Sequence, residues 1–234
     1  MGNRIRAFFT IDEEYSKEVQ EFSRRDAVYA LLIYTLILIS YYFMGVLHAM
    51  KNIYLGNAVN LSLAFLVIGL TLIRKQPLKS IGISGRNLGK SIVLGLVPSI
   101  LLLAAILVIG FAGGSKLAGI SSIFGNFMYF LFIISFVEEL LFRGYIQTRL
   151  YGLLHKPIPA IIITGILFML MHIPYRMGVA QMGVLEYITN NYITLLITFL
   201  WHVIFRFLYS KYNSILAPTI FHAFVNWTGY LFVQ

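Results

Sequence analysis

Apolar residues gather into seven long runs separated by short polar stretches: Ala27 to His48, Asn57 to Ile73, Leu88 to Ala112, Ile123 to Ile146, Ile158 to Ile173, Tyr192 to Leu208 and Ile215 to Val233. A helix that crosses a bilayer needs roughly 20 mainly apolar residues, with about 17–25 tolerated. Each run therefore predicts a spanning helix. The runs are far longer than the roughly ten alternating residues of a barrel strand. Pro157, Pro159 and Pro174 bracket the fifth run. Proline suits a first helical turn and breaks an interior, so this helix is expected to be short and to end before Pro174. The stretch from Pro174 to Asn191 reads as a loop or as an extra half-helix, which would raise the count to eight. Ahead of the first run, Thr10-Ile11-Asp12-Glu13 has a capping-box pattern, and Tyr15, Val19 and Phe22 follow at helical spacing. These residues predict a short interfacial leader helix.

Composition agrees with this pattern. The chain is 59% hydrophobic and 12% charged, and its mean hydropathy is +0.82. Soluble domains carry about 25% charge, so a soluble enzyme and a disordered chain are both excluded. The fold class is an all-α polytopic membrane protein of seven, or eight, transmembrane helices. Residues 1–26 form the cytoplasmic leader. Residues 27–234 form one transmembrane domain, with the candidate catalytic motifs in 123–234. There is no cysteine, so disulfides, a thiol nucleophile and cysteine metal sites are ruled out.

The net charge of +9 does not indicate nucleic acid, because the basic residues lie between spans. Fifteen of the 18 lysines and arginines fall before span 1 and in or near alternate loops, and the other loops hold one each: Lys51, Lys116 and Arg176. The positive-inside rule then places the N-terminus in the cytoplasm. The first apolar run has no small-residue cleavage site, so no secretory signal peptide is expected. Met1-Gly2 resembles a myristoylation start, but Arg6 stands where Ser or Thr is needed.

Acids are the most informative residues. Six of the nine precede span 1, Glu186 lies in the ambiguous stretch, and Glu138 and Glu139 sit inside span 4. A mid-bilayer charge costs roughly 2.5–3.5 kcal/mol on insertion scales. Glu139 and Arg143 are four residues apart and can pair. Glu138 lies about 100° around the helix, which leaves a desolvated carboxylate suited to general-base work. His172, His202 and His222 lie on three further spans, and Asn226 is one turn beyond His222. At 1.5 Å per residue, Glu138 is about 12 Å and His222 about 11 Å from the cytoplasmic span ends, against about 21 Å for His172. This depth suggests a site near the cytoplasmic side.

Three ordered motifs carry a resemblance. Glu138-Glu139-Leu140-Leu141-Phe142-Arg143 matches EExxxR, Phe168 to His172 matches FxxxH, and His222 to Asn226 matches HxxxN. Together they resemble the CPBP family of CAAX proteases and bacteriocin-processing enzymes, also called Abi, which includes the type II CAAX prenyl endopeptidase. The resemblance implies a glutamate-type intramembrane endopeptidase. In it Glu138 would activate water with His172, His222 and Asn226 would hold the oxyanion, and Glu139 and Arg143 would support them. Phe168 is a candidate substrate contact. The implied partners are the lipid bilayer and a membrane-protein or lipidated-peptide substrate, cut C-terminal to a prenylated cysteine in the CAAX branch. His202 and Arg206 match no motif and are read as structural.

Other chemistries fit less well. HExxH is absent, and both aspartates precede span 1. Gly82-Ile83-Ser84-Gly85 spells a serine-protease motif, but it falls in a basic loop and reads as a flexible turn. No cofactor is expected. The alternative is zinc on Glu138, His172 and His222, to which Asn226 is poorly suited as a ligand. A non-proteolytic immunity factor, scaffold or proton-coupled transporter is the other class that intramembrane Glu, His and Arg would serve.

Overall fold

The computed structural model describes residues 10–233. Met1, Gly2, Arg4 and Arg6, which entered the reading of the leader, lie outside the described residues. The protein is an all-α polytopic membrane protein. Among the described residues, six helices are long and apolar enough to cross a bilayer: α2 (Arg24–Lys51), α3 (Gly56–Ile73), α4 (Leu88–Ala112), α5 (Ile120–Leu154), α6 (Pro157–Ala180) and α7 (Val184–Tyr212). Before them comes a short helix, α1 (Glu13–Glu18), and after them α8 (Leu216–Trp227).

The seventh apolar run departs from expectation. Its helix α8 has 12 residues, a rise of about 18 Å, and a 3₁₀ turn (Thr228–Tyr230) follows. The chain then pairs with the α4–α5 loop, where Val233 N donates to Lys116 O at 2.9 Å and Ala118 N to Leu231 O at 2.8 Å. The fifth span is also longer than expected. Helix α6 passes through Pro174 and continues to Ala180, so the proline sits inside it. The ambiguous stretch makes no eighth span. Its second part is the start of α7, bent at Asn191 (φ −127°, ψ 16°). There the Asn191 amide donates to Tyr187 O at 3.0 Å.

Helices α2 and α6 cross closely because glycines meet. A Cβ on Gly45 would lie 2.3 Å from Tyr175 O, and one on Gly178 would lie 2.9 Å from the Gly45 Cα. Small residues let membrane helices approach in this way.

At the end of the bundle that carries the leader, side chains fasten one another. The α1 cap is Asp12, not Thr10: its Oδ1 accepts from Glu14 N at 2.9 Å and Tyr15 N at 3.2 Å. Aspartate can take both orphan amides of the first turn. Tyr15, Val19 and Phe22 are buried, so the helix's apolar face turns into the protein. Tyr15 accepts a hydrogen bond from the Gln147 amide at 3.0 Å. Burial pushes its phenol pKa above the ordinary value. The leader's acids meet the basic loop: Arg86 pairs with Asp12 and Glu14, Lys79 with Glu14 at 2.7 Å, and Arg74 with Asp26 at 2.9 Å. The Gly82–Gly85 turn is tied down rather than flexible. Gly82 holds φ +76°, which a side chain rarely tolerates, and its carbonyl accepts from Ile215 N at 3.1 Å.

Candidate active site

Helix α5 positions the two central carboxylates. It runs 35 residues, and two stretches of it, Phe130–Ser135 and Leu140–Gln147, are wound as π-helix on either side of Phe136–Glu139. Such local unwinding is frequent at functional sites. It also frees backbone groups for other partners. Ile133 O accepts from the Asn60 amide of α3 at 3.2 Å, and Asn60 Oδ1 accepts from the Tyr41 hydroxyl at 2.8 Å. Tyr41 and Asn60 thus brace α5 just ahead of Glu138.

Glu139 and Arg143 are fully buried and Glu138 is 8% exposed. Arg143 NH1 lies 3.2 Å from Glu139 Oε1. The guanidinium sits 4.0 Å from the Phe168 ring centroid and 5.2 Å from that of Phe205. Facing aromatic rings offset part of the cost of burying a cation. From α8, His222 reaches both glutamates. Its Nδ1 is 2.8 Å from Glu139 Oε1 and its Nε2 is 3.8 Å from Glu138 Oε2. The His222 ring stacks on Phe205 at 4.5 Å, which fixes its plane. Glu139 therefore serves two partners, Arg143 and His222, where the spacing along the sequence indicated one.

His172 arrives from α6. Its Nδ1 is 2.8 Å from Phe168 O. A carbonyl can only accept, so Nδ1 carries the proton and the neutral ring presents an unprotonated Nε2. Phe168 touches Arg143 on one side and the His172 ring at 5.0 Å on another. His202 is buried with its ring 6.0 Å from Phe168. Asn226 is half-buried one turn beyond His222, and among the described residues its carboxamide makes no side-chain hydrogen bond.

Glu138 and His172 line one cavity of about 470 Å³. Its floor is buried, at Tyr41, Glu138 and Met171. Its exposed lining, at Tyr54, Arg176, Val179 and Ala180, comes from the α2–α3 connection and the C-terminal end of α6. The mouth is thus at the end of the bundle opposite the leader. The expected depth of Glu138 was measured from Ile146. Helix α5 instead continues to Leu154, and everything from Val137 to Gly152 is buried beneath the leader end.

The arrangement can hold and deprotonate a water. It joins a carboxylate without a cationic hydrogen-bond partner, an imidazole with a free nitrogen, and a second imidazole clamped by a carboxylate. Among the described residues no three His, Cys, Asp or Glu side chains converge at metal-binding spacing. The roles of Phe205, Tyr41 and Asn60 escape sequence reading. Phe205 is one of 19 phenylalanines. Asn60, a carboxamide within an apolar run, was the signal that could have been used.

Residues 120–228 match a family model described as Rce1-like: type II CAAX prenyl endopeptidase Rce1-like. That segment holds every residue of the three motifs. No curated protein and no solved structure matches the chain.

Proposed function

Because the C-terminal half of this chain belongs to the Rce1-like family of CAAX proteases, we propose that it is a glutamate-type intramembrane endopeptidase that works without a metal. The observation that carries the proposal is His222 held between Glu139 at 2.8 Å and Glu138 at 3.8 Å, with Glu138 and His172 lining one cavity.

Peptide hydrolysis needs a nucleophilic water and a place for the oxyanion. Glu138 takes the water's proton, and the free Nε2 of His172 orients the water. Attack on the scissile carbonyl moves negative charge from Glu138 onto the carbonyl oxygen. Two carboxylates face one guanidinium at this site, and the donor that stands between the carboxylates is His222. Its Nε2–H and the Asn226 amide then donate to the oxyanion, each donor worth about 2.7–4 kcal/mol in a dry site. Collapse of the tetrahedral intermediate breaks the C–N bond, and Glu138 returns its proton to the leaving amine. Glu139 and Arg143 act by positioning: they hold the His222 ring in one plane, with Nδ1 donating to Glu139.

The substrate is a membrane-protein or lipidated peptide, with a prenylated cysteine before the cleaved bond in the CAAX reading. The test is a purified full-length chain with an internally quenched farnesyl-cysteine peptide. Cleavage is expected, and chelators are expected to leave the rate unchanged. Stoichiometric zinc that departs together with activity would overturn the metal-free mechanism.

The leader and the cavity mouth lie at opposite ends. With the leader and the basic α3–α4 loop in the cytoplasm, as the positive-inside rule has it, the mouth faces away from the cytoplasm. This replaces the cytoplasmic-side cleavage expected from the depth of Glu138. The chain has no cysteine, so single cysteines at Lys79 and Ala180 can be labelled cleanly in sealed vesicles. An impermeant maleimide should reach the two from opposite sides, and labelling from the same side would refute the arrangement.

A further inference from the structure

Glu138 and Arg176 are the cavity's only lining residues with a full charge of fixed sign. Arg176 is exposed at the mouth, and among the described residues it has no ion pair or hydrogen bond. It stands four residues past His172 on α6, on the same helix face and about 6 Å further toward the mouth. The lining also carries apolar side chains, among them Met44, Ile134 and Met171, alongside tyrosines and asparagines. A guanidinium without an acidic mate at the open end of this cavity is free to receive an anion.

We propose that Arg176 is a specificity-determining residue that receives a carboxylate of the substrate on the leaving-group side of the cleaved bond. The inference rests on the protease reading above. An extended peptide advances about 3.3–3.6 Å per residue. With the scissile carbonyl at Glu138 and His172, the carboxylate meets Arg176 two or three residues further along. The residues between face the cavity wall. Guanidinium and carboxylate match in charge and in planar, forked geometry. Two sources can supply the group: the peptide's own C-terminus, or an acidic side chain at the same position.

The experiment compares three versions of one quenched farnesyl-cysteine peptide that ends three apolar residues after the cysteine. The first is the free acid, the second the C-terminal amide, and the third an amide whose last residue is aspartate. Wild type is expected to prefer the acid over the plain amide by roughly ten- to a hundredfold in kcat/KM, the range for a hydrogen bond to a charged group, mainly through KM. Arg176→Gln should lose that preference and cleave acid and amide alike. Arg176→Lys should recover part of it. Rescue by the aspartate peptide assigns the site to carboxylates in general, and failure of rescue assigns it to the chain terminus. Equal cleavage of acid and amide by wild type, or an unchanged preference in Arg176→Gln, overturns the proposal while leaving the protease reading intact. Wild type that cleaves none of the peptides removes the prenyl-peptide substrate and this inference with it. Arg176 packs against nothing that its loss would unseat, so the melting temperature of Arg176→Gln should match wild type.

Discussion

Glu138→Gln is expected to lower kcat by at least about a thousandfold, within the usual 10²–10⁴ worth of a positioned general base, without lowering stability. The substitution keeps the side chain's shape and removes only its capacity to take a proton. Glu138 makes no hydrogen bond to Arg143, and its contact with His222 Nε2 is 3.8 Å long, so the folded state loses little. Glu139→Gln supplies the contrast. That carboxylate is fully buried and accepts from His222 Nδ1 at 2.8 Å beside Arg143 at 3.2 Å. Its loss strands a buried guanidinium, and breaking a buried pair costs about 3–5 kcal/mol. Glu139→Gln should therefore lose activity and thermal stability together. The measurements are turnover of the quenched peptide and a melting curve for each purified variant. An active Glu138→Gln would remove the general base from the mechanism. A Glu138→Gln that fails only because it unfolds would make Glu138 a structural residue, and a Glu139→Gln as stable as wild type would mean that the clamp on His222 carries no load.

Much of this architecture is legible in the sequence because lipid imposes simple rules. Apolar length marks the long helices, and the exile of acids from the spans makes Glu138 and Glu139 conspicuous. The i, i+4 spacing of Glu139 and Arg143 survives into a 3.2 Å contact. Other features depend on interactions between segments that no local pattern contains. Pro174 reads as a helix end, yet α6 continues to Ala180, packed against α2 through Gly45 and Gly178. The tertiary contact there outweighs the local cost of the proline. Straight-helix arithmetic put His172 about 10 Å from the level of Glu138. It could not account for the two π-helical stretches in α5, nor for the length of helix beyond Ile146. The second partner of Glu139 was hidden for a similar reason, since His222 comes from another helix 83 residues away.

Arg149 shows the same limit, and its replacement should have a large effect on stability. In the sequence it is one more positive charge at the end of a span. In the fold it is fully buried with no carboxylate against it. Its NH1 donates to Ser80 O at 2.8 Å, Gly144 O at 3.0 Å and Thr148 Oγ1 at 2.8 Å. Its NH2 donates to Gln76 Oε1 at 2.8 Å and Ser80 Oγ at 2.9 Å. The guanidinium plane is bounded by Phe22 at 4.5 Å and Tyr145 at 4.4 Å. One side chain thus joins the leader, the α3–α4 loop and α5. Arg149→Leu would leave several buried acceptors without donors, at about 1–3 kcal/mol each where water cannot replace the guanidinium. Allowing for partial relaxation, a net loss of about 3–5 kcal/mol is expected. At 2–4 °C per kcal/mol for chains of this size, that lowers the melting temperature on the order of 10 °C. Lysine should rescue poorly, because a single ammonium cannot reproduce the fork that spans Ser80 and Gln76. The catalytic cavity opens at the other end of the bundle, so Arg149→Leu protein assayed well below its melting point should turn over peptide at close to the wild-type rate. An unchanged melting temperature would show that the leader end is held by other contacts. A selective loss of kcat at full stability would show instead that the two ends of α5 are mechanically coupled through its π-helical turns.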